Sequence, residues 1–414
     1  MNLIKFLHEI EESDRPHVGG KCLALSVMAH KGMNVPSAVA VCAEAYDQYI
    51  SYTGLRDRIL IEINRKHFKD MRWEEIWDTS LRIRNLFLNN PMPDMLSETL
   101  RHSLSSVFSD TAVVVRSSAL EEDTAAASFA GLHDSYVNIK GVDSILHHIR
   151  LVWASLWSDA ALLYRQELGL DIEKSSMAVV IQEIVYGEKS GVAFGKNPND
   201  DSQSVIEAVY GLNQGLVDGT VEPDRWILEQ EAGTIVSHTA AQRRKAITPM
   251  KEGVGLTSLT LERANTPPLT TDELKKVFEL VHRAQQIFGS PQDVEWTSNR
   301  DTLYVLQSRP ITSGLAGGDE DKRPWYMSLH RSFENLKILR RKIEEDLLPS
   351  MIQEATLLSR QDLQELSDSE LSEVVTRRAE RYNHWIGVYW KEFIPFAHGI
   401  RLFGVFYNDT VSPC

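Results

Sequence analysis

The chain has 414 residues, 43% of them apolar, which is enough for two or three domains with substantial cores at about 150 residues per domain. Its 44 Lys and Arg stand against 58 Asp and Glu, a net charge of −14 without a dense basic run, and this argues against nucleic acid or an anionic membrane as main partner. Cys22, Cys42 and Cys414 have no metal-ligand spacing and make no disulfide framework. The N-terminus meets His8 and Glu9 too early for a signal-peptide core, and no stretch approaches the roughly 18 apolar residues of a membrane span, so the expectation is a cytoplasmic protein.

Residues 1 to about 110 read as mostly helical, with apolar residues at helical spacing in Cys22 to Met33, Trp73 to Leu88 and Met95 to Phe108. Within this region VGGKCLALSVMAHKGMNVP places a Gly19-Gly20 turn before Lys21, at or just before the first turn of a helix. Helix N–H groups, dipole and lysine together suit phosphate oxygens, although the P-loop spacing is absent, the signal is weak by itself, and the alternative is a plain turn followed by a solvated lysine. PSAVAV, from Pro36, is a short extended piece.

From Ala112 the texture changes to short β-branched runs, VVVR, MAVVIQ, GVAF and SVIEAV, bounded by Gly, Ser, Asn or Asp as buried strands are, with a helix from Asp143 to Glu167 among them. The first run ends at Arg116 and enters SSALEEDTAAASFAG, a loop whose small residues let backbone approach a ligand while the arginine grips phosphate. An ion pair of Arg116 with Glu121, Glu122 or Asp123 is the structural alternative. Two more strands (RWIL, TIVSH), a helix from Thr271 to Phe288 and a closing strand pair, DVEWTSN and TLYVLQS, complete an α+β or α/β sheet pattern. In that closing pair Asp293 and Glu295 are two apart, as are Gln307 and Arg309, so each couple shares one side of its strand. A carboxylate and an amide oxygen suit hard Mg²⁺, and the arginine offsets phosphate charge; the alternative is the polar face of an exposed hairpin.

Five ordered segments carry a resemblance: GGK; VRSSALEED followed by SFAG; QEIVYGEKSGVAF; EAVYGLNQGLVDGTVEPD; and DVEW followed by LQSRPIT. Across residues 13–312 they resemble the nucleotide-binding half of phosphoenolpyruvate synthases, and pyruvate phosphate dikinases and rifampin phosphotransferases share much of the pattern. The resemblance implies an α+β, two-lobed ATP-grasp fold, with residues 1–190 and 191–312 as the lobes; the Gly-rich, charged SGLAGGDEDK marks a linker at 313–323, and residues 324–414 read as a helical segment, the cut start of a further domain. It also implies ATP and Mg²⁺ as ligands. Lys21 and Arg116 match phosphate-binding positions, Arg309 the arginine on the phosphates, Glu295 and Gln307 the metal ligands. Gln182, Glu183 and Ile184 match the hinge that receives adenine, Ser128 to Gly131 part of the lid, and Gly211, Gly215 and Gly219 with Pro223 and Asp224 a site-shaping loop. Asp293 stands behind the metal or serves structure alone.

In such enzymes ATP phosphorylates a histidine on a separate domain, leaving AMP and phosphate, and the histidine serves a small-molecule acceptor bound elsewhere. GTIVSHTAAQRRK around His238 imitates that histidine's context but lies between two nucleotide-binding motifs and lacks the expected sequel, so His238 reads as an ordinary strand-end residue. No barrel pattern follows residue 313, and the ending FGVFYNDTVSPC looks cut. The expectation is therefore a donor module, incomplete alone, with its phosphohistidine domain in cis or in trans; the alternative is a non-catalytic nucleotide-binding module that regulates or scaffolds a partner.

Overall fold

The computed structural model describes residues 3–71, 73–120, 132–168, 170–197, 200–311, 339–360, 363, 366–393 and 396. Ser128 and Gly131, the linker and the end of the chain lie outside these. The chain divides into two compact units, Met1–Leu216 with Thr220–Thr312, and Val217–Gly219 with Ser313–Cys414.

In the first unit the described strands form two antiparallel sheets and a hairpin. The five-stranded sheet contains β1 (Ile4–Phe6), β2 (Ala38–Val41), β3 (Val113–Ala119), β4 (Ser135–Ile139) and β5 (Met177–Glu183) in the order β1-β2-β5-β3-β4. The six-stranded sheet is built from β6 (Lys189–Phe194), β7 (Gln203–Tyr210), β8 (Asp224–Glu229) and β9 (Ile235–Thr239), with the hairpin β10 (Lys245–Pro249) and β11 (Val254–Ser258) following. Strands β12 (Gln292–Asn299) and β13 (Thr302–Pro310) complete it, in the order β13-β12-β6-β7-β8-β9. The unbroken apolar run of β5 follows from its central place, where both faces are covered.

One face of the first sheet, through Val39, Val113, Val115, Val179 and Ile181, packs into a core shared with helices α2 (Ala43–Tyr52), α3 (Leu55–Ile63), α4 (Trp73–Asn89), α5 (Asp94–Phe108), α6 (Val142–Ser155) and α7 (Asp159–Leu168). Tyr49 stacks on Trp153 there at 5.3 Å, and Trp157 donates its indole N–H to the Tyr46 hydroxyl at 3.0 Å. The helix expected over 143–167 is two helices, because the Ser158 hydroxyl accepts the Ala161 N–H (3.1 Å) and starts a new one.

The opposite face, with Ala38, Ala40 and Val180, belongs to a second core. There α1 (Arg15–His30), through Cys22, Leu25 and Met28, meets Ile206, Ala208, Val294, Trp296 and Val305 of the second sheet. After α8 (Gln214–Val217) and α9 (Leu261–Asn265), α10 (Thr271–Phe288) covers the second sheet with Leu274, Val277, Val281 and Ala284 at helical spacing. A Thr270–Glu273 capping box starts α10, and Gly289 at φ 68° ends it.

In the second unit, helices Leu348–Ser359 and Asp368–Val388 are described, the latter opened by a Ser367–Glu370 capping box. Glu354 joins them, accepting from Trp385 (2.6 Å) and pairing with Arg381 (3.0 Å). Among the described residues no helix is long and apolar enough to cross a membrane.

Candidate functional site

Antiparallel pairing sets Asp293 directly opposite Arg309 and Glu295 directly opposite Gln307. All four side chains therefore share the face of the second sheet turned away from Trp296 and Val294, and each is at most 8% exposed. Arg309 donates to Asp293 Oδ2 from both Nε (2.8 Å) and Nη2 (2.6 Å), so its guanidinium is held by the carboxylate across the ladder. A register shift between Glu295 and Trp296 leaves Leu306 without a ladder partner. Its carbonyl instead accepts from Arg116 Nη1 at 3.1 Å.

Arg116 reaches this position from β3 of the other sheet, and its Nη2 pairs with Glu295 Oε2 at 3.1 Å. The expected alternative partners Glu121, Glu122 and Asp123 lie outside the described residues. Asn213 adds a second donor to the same oxygen, Nδ2 to Glu295 Oε2 at 3.3 Å. Both bonds fall on Oε2, which leaves Oε1 without a protein donor among the described residues.

Lys21 arrives by a different route. At Gly19 (φ 74°, ψ 171°) helix α1 is interrupted and starts afresh, which puts Lys21 in the first turn of the segment that continues to His30. A Cβ at Gly19 would lie 2.3 Å from the Ser118 carbonyl oxygen, so only glycine fits this approach of helix to strand. Ser118 fastens the junction, donating its hydroxyl to the Val18 carbonyl (2.7 Å) and accepting the Cys22 N–H (3.2 Å). Lys21 Nζ then donates to Ser117 Oγ at 3.3 Å, beside Arg116 on the same strand. Nearby, His133 bonds the Ser155 carbonyl through Nδ1 (3.3 Å). Burial, then the charges of Arg165 and Lys21, hold its imidazole pKa well below the ordinary histidine value.

Gln182, Glu183 and Ile184, expected at a hinge, lie at the end of β5. Gln182 on β5 pairs with Val114 as Val180 pairs with Arg116, so Gln182 and Arg116 face one side of the first sheet. Gln182 is 1% exposed, and its Nε2 has no hydrogen-bond partner among the described residues. The Glu183 and Ile184 N–H groups are already used, by the carbonyls of Ser37 (2.7 Å) and Ala112 (3.0 Å). Ile184 contributes its side chain to an apolar cluster with Ala112, Val114, Leu212 and Ile247. Gly211 makes that cluster possible: at φ 82° a Cβ there would sit 2.4 Å from the Ile247 carbonyl oxygen.

The arrangement thus sets Val114 of the apolar cluster and the buried Gln182 amide on the face of the first sheet that also carries Arg116. A hard cation could be held by Glu295 Oε1 and the Gln307 amide oxygen. No group of three or more His, Cys, Asp or Glu with metal-binding geometry occurs among the described residues, so such a cation would draw most of its shell from water and phosphate. His238 is remote in role: on the edge strand β9 it stacks on Trp226 at 4.4 Å and pairs with Asp224 (2.8 Å), which also binds Arg243. Asn213 was not singled out by sequence reasoning. It sits inside the quoted EAVYGLNQG segment, where only the glycines carried meaning.

A family described as pyruvate phosphate dikinase, AMP/ATP-binding domain, matches residues 15–327. The chain belongs to this family. The resemblance read from five motifs is thereby borne out, and as a member of the pyruvate phosphate dikinase family the chain is an AMP/ATP-binding domain. It is similar to a probable phosphoenolpyruvate synthase of Methanocaldococcus jannaschii, 33% identical over 78% of this chain and 28% of that protein. It is also similar to a rifampicin phosphotransferase of Bacillus subtilis, 34% identical over 75% of this chain and 36% of that protein. A probable phosphoenolpyruvate synthase of Methanothermobacter thermautotrophicus is 31% identical over 75% of this chain and 46% of that protein. The matches span less than half the length of each of these relatives.

Proposed function

We propose that this chain is the Mg-ATP-binding donor module of a phosphoenolpyruvate-synthase-like dikinase, an ATP-grasp site from which one phosphoryl group of ATP passes to a histidine on a separate domain or chain and a second passes to water, with AMP and phosphate as products. The observation that carries the reading is the convergence on Glu295 of Arg116 from one sheet and Asn213 from the loop after β7, opposite Gln307 and beside the Asp293–Arg309 pair.

Adenine would pack against the apolar cluster of Val114, Ile184, Leu212 and Ile247. The buried Gln182 amide offers a donor beside an acceptor, the pattern that complements the N6 and N7 edge of adenine. From Val114 to Arg116 the strand advances about 7 Å, toward the cations that would take the triphosphate. Without ligand, Arg116 and Glu295 neutralise each other in a nearly dry place. With Mg-ATP the pair separates in role, the arginine and Lys21 taking phosphate oxygens and the carboxylate, with Gln307, taking the cation. Bound Mg²⁺ would offset charge on the phosphates. Arg309, fixed in orientation by Asp293, bonds phosphate oxygen as charge shifts during transfer, and positioning with charge neutralisation is most of what phosphoryl transfer asks of a protein. Ser128 and Gly131 belong to the loop expected to close over the phosphates, and the final acceptor binds elsewhere.

The test is transfer of label from [β-³²P]ATP to a separately supplied histidine domain of a relative. Acid-labile label on that domain, lost with Glu295→Gln or Arg309→Ala, is the expected result. Mg-ATP binding with no label transferred would instead identify a regulatory or scaffolding module.

A further inference from the structure

We infer that Asn213 is a specificity-determining residue whose side-chain oxygen accepts a hydrogen bond from a ribose hydroxyl of the nucleotide; the inference rests on the nucleotide-site reading above. Asn213 is 5% exposed, and its amide is half used: Nδ2 donates to Glu295 Oε2, while Oδ1 is buried with no hydrogen-bond partner among the described residues. The orientation of an amide is open to a flip, but a carboxylate oxygen only accepts, so the nitrogen must face Glu295. The free group is therefore an acceptor, and its natural partner is a donor. A buried acceptor left unpaired loses its hydration without replacement, a loss that a ligand hydroxyl would relieve.

Position along the ligand path decides which donor. Leu212, the residue before Asn213, belongs to the apolar cluster proposed to contact the base. Glu295, the residue Asn213 touches, also binds Arg116 at the phosphate end. Between a base and its phosphates lies the sugar, and the sugar's only donors are hydroxyls. Backbone hydrogen bonds on both sides hold Asn213 in place, the Leu212 N–H donating to the Ile247 carbonyl (2.9 Å) and the Asn213 carbonyl accepting the Leu216 N–H (3.0 Å). Holding Glu295 with one end of the amide and the ribose with the other, Asn213 would make sugar recognition and carboxylate placement depend on the same side chain.

The experiment compares ATP, 2′-deoxy-ATP and 3′-deoxy-ATP by calorimetric titration in Mg²⁺, with the wild-type chain and with Asn213→Ala and Asn213→Gly. The expected result is that wild type binds one of the deoxy nucleotides about tenfold more weakly than ATP, the effect of one neutral hydrogen bond, and that the folded variant binds the two equally. Equal binding of all three nucleotides by wild type overturns the inference without any variant and leaves the ATP site standing. So does a variant that keeps the wild-type preference. Failure of wild type to bind ATP at all would overturn the site reading itself, and the inference with it.

Discussion

Strands β12 and β13 present two faces that are both buried and chemically opposite. Val294, Trp296 and Val305 enter the core shared with α1 and α10, whereas Asp293, Glu295, Gln307 and Arg309, alternating with them, form a buried polar surface. The apolar face stabilises the molecule by removing hydrocarbon from water, about 25 cal/mol per Å². The polar face gains little from burial, because the cost of desolvating Arg116, Glu295, Asp293 and Arg309 offsets their mutual attraction. Such an arrangement is understandable where the same groups must serve a charged ligand.

Four changes would break or sharpen this contrast. Trp296→Ala on the apolar face removes a fully buried indole and should cost about 3–5 kcal/mol in urea unfolding. Arg116→Ala strands the Glu295 carboxylate and should cost about 3 kcal/mol; the double replacement Arg116→Met with Glu295→Leu should recover most of that stability while nucleotide binding, followed by calorimetry, stays lost. A double variant that regained stability and still bound ATP would erase the distinction between the faces. Gly19→Ala forces a Cβ against the Ser118 carbonyl at a positive φ, and should cost about 1–3 kcal/mol in Tm measurements along with weaker ATP binding through displaced Lys21. The smallest effect is acid dependence from His133. Its folded pKa lies below the unfolded value, so its contribution is complete above about pH 6.5 and falls as pH drops from there toward the folded pKa. Titrating stability between pH 7.5 and 5 should show this loss in wild type and less of it in His133→Asn.

Alternation made the two faces legible from sequence, since DVEW and LQSR each set polar residues two apart and the ladder then joined them. Register was not legible: the pairing of Asp293 with Arg309, which holds the arginine in place, depends on the bulge at Leu306. Lys21 was placed at a helix start by Gly19-Gly20, but the close approach to Ser118 that requires glycine is a tertiary contact. Asn213 escaped because its signal is a contact 82 positions away with Glu295, and no local pattern marks it. Strands β1 and β4 were also missed, being short elements defined by packing on β2 and β3 rather than by their own periodicity, and helices α2 and α3 were read only as part of a mostly helical region.

The measurement closest to the central claim is calorimetric titration of ATP with and without Mg²⁺, using wild type and Glu295→Gln. The account predicts that wild type binds ATP at least about tenfold more tightly with Mg²⁺, and that Glu295→Gln removes this advantage while still binding nucleotide. An equal Mg²⁺ advantage in the variant, or no ATP binding by wild type, would contradict it.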